Sequence, residues 1–169
     1  AILSFSALVI SLLLFHKIKE FPGSFQWLFA VSKISVGTLL VGMRGIIPDL
    51  VSIYLANVLL IFAPATLIQS FKILLGGTDT RKSEYWISGF FSILFILVAQ
   101  TGSTRERILI FSFAYSILWL WGGISIFMQK SKASNFVFFV FIMMSILSLL
   151  RFIASWNINP EESLLQLKG

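Results

Sequence analysis

The chain of 169 residues is 57% hydrophobic and 12% charged, and its 13 Lys and Arg residues outnumber its 7 Asp and Glu residues. A globular domain usually carries about 25% charged residues, so this composition indicates an integral membrane protein. The absence of cysteine excludes disulfides and thiolate metal sites, and the single histidine, His16, excludes a multi-histidine metal cluster contributed by this chain alone. The net charge of +6 does not indicate nucleic-acid binding, because the basic residues stand singly in short connections between apolar runs.

Apolar segments along the chain predict an all-α fold, a polytopic transmembrane helix bundle that forms one membrane domain over residues 1–169. The six predicted spans lie at about residues 1–15, 24–43, 50–75, 85–101, 108–128 and 136–156. Thr104, which precedes the fifth span and is followed by charged residues, resembles a helix start. The first segment is short for a span, which needs about 20 residues, and no basic segment or Met precedes it. We therefore interpret it as the later part of a transmembrane helix rather than as a signal peptide.

Basic residues are distributed unequally between the two ends of these spans. One end carries the larger set, Lys17, Lys19, Lys72, Arg81, Lys82, Lys130 and Lys132, and the other end carries Arg44, Arg105, Arg107 and Arg151. By the positive-inside rule the larger set faces the cytoplasm, which puts the connection around residue 44 at the outer surface. Because the number of spans is even, a cytoplasmic output requires a seventh helix after Gly169.

Polar residues and prolines are densest between residues 44 and 75. Pro48 cannot continue the preceding helix, so we expect a tight reversal there, with Asp49 capping the first turn of the next helix. Asn57 lies roughly 12 Å farther along this helix, where an amide needs a partner inside the protein. Pro64 frees a backbone carbonyl one turn earlier and is expected to bend the helix.

Four residues are the candidates for sensing a ligand or signal: Arg44, Asp49, Asn57 and Lys33. Arg44 and Asp49 either bind a small polar or lipid-like ligand together or only fix the reversal, as a snorkelling arginine and a helix cap. Asn57 either contacts the ligand or forms an interhelical hydrogen bond. Lys33 either faces protein, where a charge within the membrane indicates function, or extends to an interface.

Small residues predict close packing between helices. They are the Gly122–Gly123 pair and a face formed by Ser52, Ala56 and Ala63, and they indicate either a compact bundle or a dimer interface. Arg151 is predicted to be a snorkelling anchor near the outer end of its span.

A spaced set of residues runs through the second and third spans and continues in the fifth. It comprises Trp27, Leu39–Leu40, Arg44, Pro48–Asp49, Leu50, Ser52–Ile53, Leu55–Ala56–Asn57, Leu59, Phe71 and Leu75–Gly76, followed by Arg107, Ser112, Ala114 and Trp119. This pattern resembles the multi-helix membrane input domain that lies N-terminal to bacterial GGDEF diguanylate cyclases. The resemblance extends from about Trp27 to Arg151.

The resemblance implies a sensory or regulatory domain in the bacterial inner membrane. Its following helix would lead into a cytoplasmic domain that makes cyclic di-GMP from GTP as a homodimer, and some similar input domains precede histidine kinases instead. This chain has no GGDEF signature or other catalytic motif, and Gly76–Gly77–Thr78–Asp79 is interpreted as a turn. No cofactor is expected in this chain. The alternatives are a transporter or channel subunit, which internal repeats would favour, and a structural membrane subunit of a larger complex.

Overall fold

The computed structural model describes residues 20–76, 82–129 and 132–157, together with isolated positions before residue 20. Over these ranges the chain is all-helical, and five helices are long and apolar enough to cross a membrane. They are α1 (Ser24–Gly42), a π-helical segment (Leu50–Leu55) that continues into α2 (Ala56–Leu74), α3 (Ser83–Thr101), α4 (Thr104–Phe127) and α5 (Lys132–Asn157). The all-helical fold is confirmed for this part of the chain, and the five helices have the length and apolar composition of membrane spans. The predicted span at about residues 1–15 lies largely outside the described residues.

The second of these spans forms the centre of the bundle. Half of an 18-residue apolar window within Leu50–Leu74 is buried, against 17% of the corresponding window in Ser24–Gly42 and 11% in Ala133–Asn157. α1 packs against α2, α5 packs against α4, and α3 contacts both α2 and α4. The outer helices therefore turn most of their surface towards lipid, and the core lies between α2, α3 and α4.

Glycines let the helices approach closely inside the bundle. A Cβ atom on Gly122 of α4 would lie 2.5 Å from the Ile68 side chain of α2, and one on Gly37 of α1 would lie 2.8 Å from Leu60 Cγ. Gly123 faces the side chains of α5, and a Cβ atom added to it would lie 3.4 Å from Phe141 Cβ. The predicted role of the Gly122–Gly123 pair in a compact bundle is thereby confirmed.

Pro64 lies inside α2, and its missing N–H leaves the Leu60 carbonyl without its usual intrahelical donor. The Tyr115 hydroxyl of α4 donates a hydrogen bond to this carbonyl at 2.8 Å. The Ser88 hydroxyl of α3 donates to the neighbouring Ile61 carbonyl at 3.2 Å. α4 therefore supplies the donor that the Leu60 carbonyl lacks, as lipid requires, and α3 adds a second donor at Ile61. The predicted bend stays a prediction.

The chain reverses between α1 and the π-helical segment, as predicted at Pro48. Gly45 adopts a left-handed conformation (φ +86°) in this connection, and Val51 and Ser52 donate backbone hydrogen bonds to the Pro48 carbonyl at 2.9 and 3.1 Å. The prediction that Asp49 caps the next helix is wrong. Asp49 has helical dihedral angles (φ −57°, ψ −31°) and its side chain makes no capping hydrogen bond, because a cap needs a non-helical backbone to turn the side chain over the first N–H groups.

A capping box marks the start of α4. Ser103 Oγ accepts a hydrogen bond from the Glu106 backbone N–H at 3.4 Å, and the Glu106 carboxylate accepts one from the Ser103 N–H at 2.6 Å. The helix begins at Thr104, as its sequence context indicates, and the capping residue is Ser103, one position earlier.

A buried ion pair joins α2 to α3 at the end of the bundle opposite to residue 44. Lys72 Nζ donates to Glu84 Oε1, and the two side chains are 2% and 0% exposed. Its position in the sequence predicts only that Lys72 is one of the charges that orient the spans in the membrane. Its burial shows that this charge is neutralised inside the protein.

Candidate functional site

A cavity of about 330 Å³ lies at the end of the bundle that contains residue 44. Each of the five helices and the π-helical segment contributes to its wall. The polar residues that line it are Thr38, Arg44, Ser52, Asn57, Thr104, Arg107 and Arg151. We call this space the arginine cavity.

Three arginines reach the arginine cavity from different parts of the chain. Arg44 follows α1, Arg107 lies in the first turn of α4, and Arg151 lies near the end of α5. These positions coincide because successive spans alternate in direction. The end of α1, the start of α4 and the end of α5 therefore meet at one face of the membrane.

The guanidinium groups of these arginines are not neutralised by any anion in the described part of the chain. Among those residues, Arg44, Arg107 and Arg151 form no ion pair and donate no side-chain hydrogen bond. Arg107 Nε is buried and has no hydrogen-bond partner in the part of the chain that the structure describes. The Arg151 guanidinium carbon lies 6.0 Å from the centroid of the Phe111 ring, a cation–π contact that leaves its N–H groups free to bind an acceptor.

No carboxylate is found among the described lining residues of the cavity. The nearby Glu106 is held by Ser103 in the capping box, and Asp49 is exposed and does not line the cavity. Each guanidinium offers five N–H donors in a planar arrangement that suits carboxylate or phosphate oxygens. The three positive charges that line the cavity would attract an anion.

Asn57 lines the arginine cavity but does not join two helices. Its Nδ2 donates a hydrogen bond to the Ile53 carbonyl at 2.6 Å, one turn earlier in the same continuous helix. The predicted interhelical hydrogen bond is therefore wrong among the described residues, because the side-chain amide donates to a backbone carbonyl of its own helix instead. No described residue donates to Asn57 Oδ1, which leaves an acceptor beside the arginines.

Lys33 faces protein, at a different depth from the arginine cavity. Its Nζ donates to Thr66 Oγ1 of α2 at 2.7 Å and lies 4.6 Å from the centroid of the Phe29 ring. At about 1.5 Å per residue, Lys33 is roughly 16 Å from Arg44 along the direction of α1. Of the two alternatives for Lys33, the structure supports the contact with protein.

Only two of the four candidate residues share the cavity: Arg44 and Asn57 line it, whereas Asp49 and Lys33 do not. Arg107 and Arg151 were not predicted as cavity residues. The sequence assigns both arginines to one end of the spans. That assignment gives their depth in the membrane but not the side of the bundle that each one faces. The remaining arginine assigned to that end, Arg105, is occupied elsewhere, since its Nε donates to the Ser155 carbonyl at 3.2 Å.

No protein-family model, curated protein or solved structure significantly matches this chain. The arginine cavity and the five apolar helices are therefore the features from which a function can be inferred.

Proposed function

We propose that this chain is the sensory or regulatory membrane domain of a bacterial inner-membrane signalling protein, and that the arginine cavity binds its signal. The observation that carries this proposal is the convergence of Arg44, Arg107 and Arg151 on one cavity without an acidic partner among the described residues. A ligand there contacts every described helix. It can therefore favour one packing arrangement of the bundle over another by the difference in its affinity for the two.

In this proposal the membrane domain controls a cytoplasmic diguanylate cyclase. A first span over about residues 1–15 gives six spans in the chain, and a helix after Gly169 carries the signal to an output domain that works as a homodimer. Support for this output comes from the resemblance of the Arg44, Pro48–Asp49 and Asn57 spacing to GGDEF-associated input domains. The cavity itself supports the binding of a signal, whichever output domain follows.

The test measures cyclic di-GMP formation by the full-length protein in proteoliposomes. Replacing Arg44, Arg107 and Arg151 with Gln keeps the side chains polar but removes the charges. Because coupling between a ligand site and an output is typically about 1–3 kcal/mol, we expect the rate of product formation to change about five-fold or more. Asp49→Asn is the matched control, since Asp49 carries a charge at the same end but does not line the cavity. Equal rates in all proteins at equal membrane insertion would refute the proposal.

A transporter or channel subunit is the second candidate, and Lys33 is the observation that favours it. Lys33 lies midway along α1 and binds Thr66, and charges at this depth commonly mark ion pathways. Lys33→Met in liposomes distinguishes the two candidates. A transporter should lose anion flux, whereas a sensory domain should show no flux in either form and keep its effect on the output.

A further inference from the structure

A row of aromatic rings runs along α4 from the arginine cavity towards the other end of the bundle. The row consists of Phe111, Tyr115 and Trp119, whose successive ring centroids are 4.5 and 6.5 Å apart. Phe111 lines the arginine cavity, and Trp119 lines a second cavity of about 230 Å³. At about 1.5 Å per residue, roughly 12 Å of α4 joins the two cavities.

The helices on either side of this row each contribute to both cavities. The arginine cavity is lined by Leu60 of α2 and Arg151 of α5. The second cavity is lined by Leu67 of α2 and Met144 of α5. Residues seven apart lie on one face of a helix, so the same face of α2 and the same face of α5 border both cavities. The described parts of α2 and α5 pack on α4 far more than on each other. The result is a groove with α4 as its floor.

The groove is closed at its inner end and charged at its outer end. Phe71 of α2 and Phe141 of α5 meet edge to face, with ring centroids 5.6 Å apart. Both rings line the second cavity, and all of its described lining residues are apolar or aromatic. The groove therefore has a charged cavity at its outer end and an apolar cavity at its inner end.

We propose that this groove binds one membrane phospholipid with an anionic headgroup. The phosphate would accept hydrogen bonds from the arginines, and one acyl chain would lie along Tyr115 and end beside Trp119. This inference rests on the proposed function, because it assigns the chemical class of the ligand at the same cavity. Charge complementarity selects this occupant. Arginines that only anchored the bundle would extend separately into the surrounding headgroups, whereas these three line one cavity at the end of the groove.

The first test uses a variant in which Trp119 is the only tryptophan and the other four are replaced by Phe. The protein is placed in phosphatidylcholine nanodiscs that contain increasing phosphatidic acid with brominated acyl chains, which quench a tryptophan they contact. We expect saturable quenching at a low fraction of brominated phosphatidic acid and much less with brominated phosphatidylcholine. Replacing the cavity arginines with Gln should raise the half-saturating fraction at least about ten-fold, since each removes a charge-assisted hydrogen bond.

The second test needs no tryptophan replacement and counts the lipids that the protein retains in native mass spectrometry. Met144→Trp should fill the second cavity, at the inner end of the groove, and reduce retention of phosphatidic acid about ten-fold. Met143→Trp is the matched control. Met143 is 43% exposed and Met144 45%, but only Met144 lines the second cavity. Equal retention by both variants would contradict the placement of the acyl chain.

The outcomes separate this inference from the proposed function. Equal quenching by the two brominated lipids would show ordinary contact with the bilayer and would overturn the lipid site. Arginine-dependent binding of inorganic phosphate, without selective quenching of Trp119, would also overturn it but would leave the signal site in place. If neither phosphatidic acid nor phosphate binds, the lipid site and the proposed signal site both fail.

Discussion

Replacing Tyr115 with Phe removes one oxygen atom from the centre of the bundle and keeps the aromatic ring. The lost hydroxyl is the donor to the Leu60 carbonyl, which Pro64 has already deprived of its intrahelical partner. The ring can still stack on Phe111, since their centroids are 4.5 Å apart. The substitution therefore isolates a single hydrogen bond between α2 and α4.

The expected loss in the free energy of unfolding depends on whether the Leu60 carbonyl keeps a hydrogen-bond donor. A buried acceptor without a partner costs about 1–3 kcal/mol, whereas hydrogen bonds between transmembrane helices average about 0.6 and reach about 1.7 kcal/mol. Because Leu60 has no alternative donor in its own helix, we expect Tyr115→Phe to lower the free energy of unfolding by about 1–2 kcal/mol. Pro64→Ala restores an N–H to the helix. In that background the same substitution should cost less than about 0.5 kcal/mol.

The assay is reversible unfolding of the purified chain in mixed micelles, carried out on the four proteins of this double-mutant cycle. Tyr85→Phe is the control, since no described residue binds the Tyr85 hydroxyl, and we expect it to leave the free energy of unfolding unchanged. An equal cost of Tyr115→Phe with and without Pro64 would refute the reasoning. It would mean that the proline does not create the need for the tyrosine.

Two further predictions concern burial and packing. Lys72→Met should destabilise the bundle by about 3–5 kcal/mol by leaving Glu84 buried without its ion-pair partner, and replacing both residues with Met should recover most of this loss in the same unfolding assay. Gly122→Ala should cost about 1–3 kcal/mol because its Cβ would lie 2.5 Å from Ile68, whereas Gly89→Ala should cost little, since no atom lies within 4 Å of the added Cβ. A low cost for Lys72→Met alone, or equal costs for the two glycine substitutions, would contradict these assignments.

Hydropathy was sufficient to locate the described spans, because lipid admits long apolar helices and excludes open backbone. It was less accurate at their ends. α4 and α5 each begin four residues before the predicted start of the span, at Thr104 and Lys132 instead of residues 108 and 136. The added turns carry charged residues, which hydropathy assigns to loops. At the depth of the headgroups a helix can continue through such residues, and the capping box at Ser103 gives it a defined start.

The candidate site was predictable in part, from polar residues that interrupt or adjoin the apolar spans. Arg44 and Asn57 were selected in this way and both line the cavity. Arg107 and Arg151 were assigned only to one end of the spans, because the side of a helix on which a residue lies must be known before it can be assigned to a cavity. These helices are apolar around most of their circumference, so no amphipathic pattern shows which side faces protein. Helix packing, rather than sequence spacing, brings the three arginines together.

The preference of each outer helix for one partner has a consequence for how this domain assembles. α1 and α2 follow one another in the chain and pack together, and so do α4 and α5. Helical hairpins with such local contacts can form independently in the bilayer before they associate. The groove between α2 and α5 is then the boundary at which the two hairpins meet. A molecule held there would stabilise the associated state by its own binding free energy, so occupancy of the groove and completion of assembly would become one linked equilibrium.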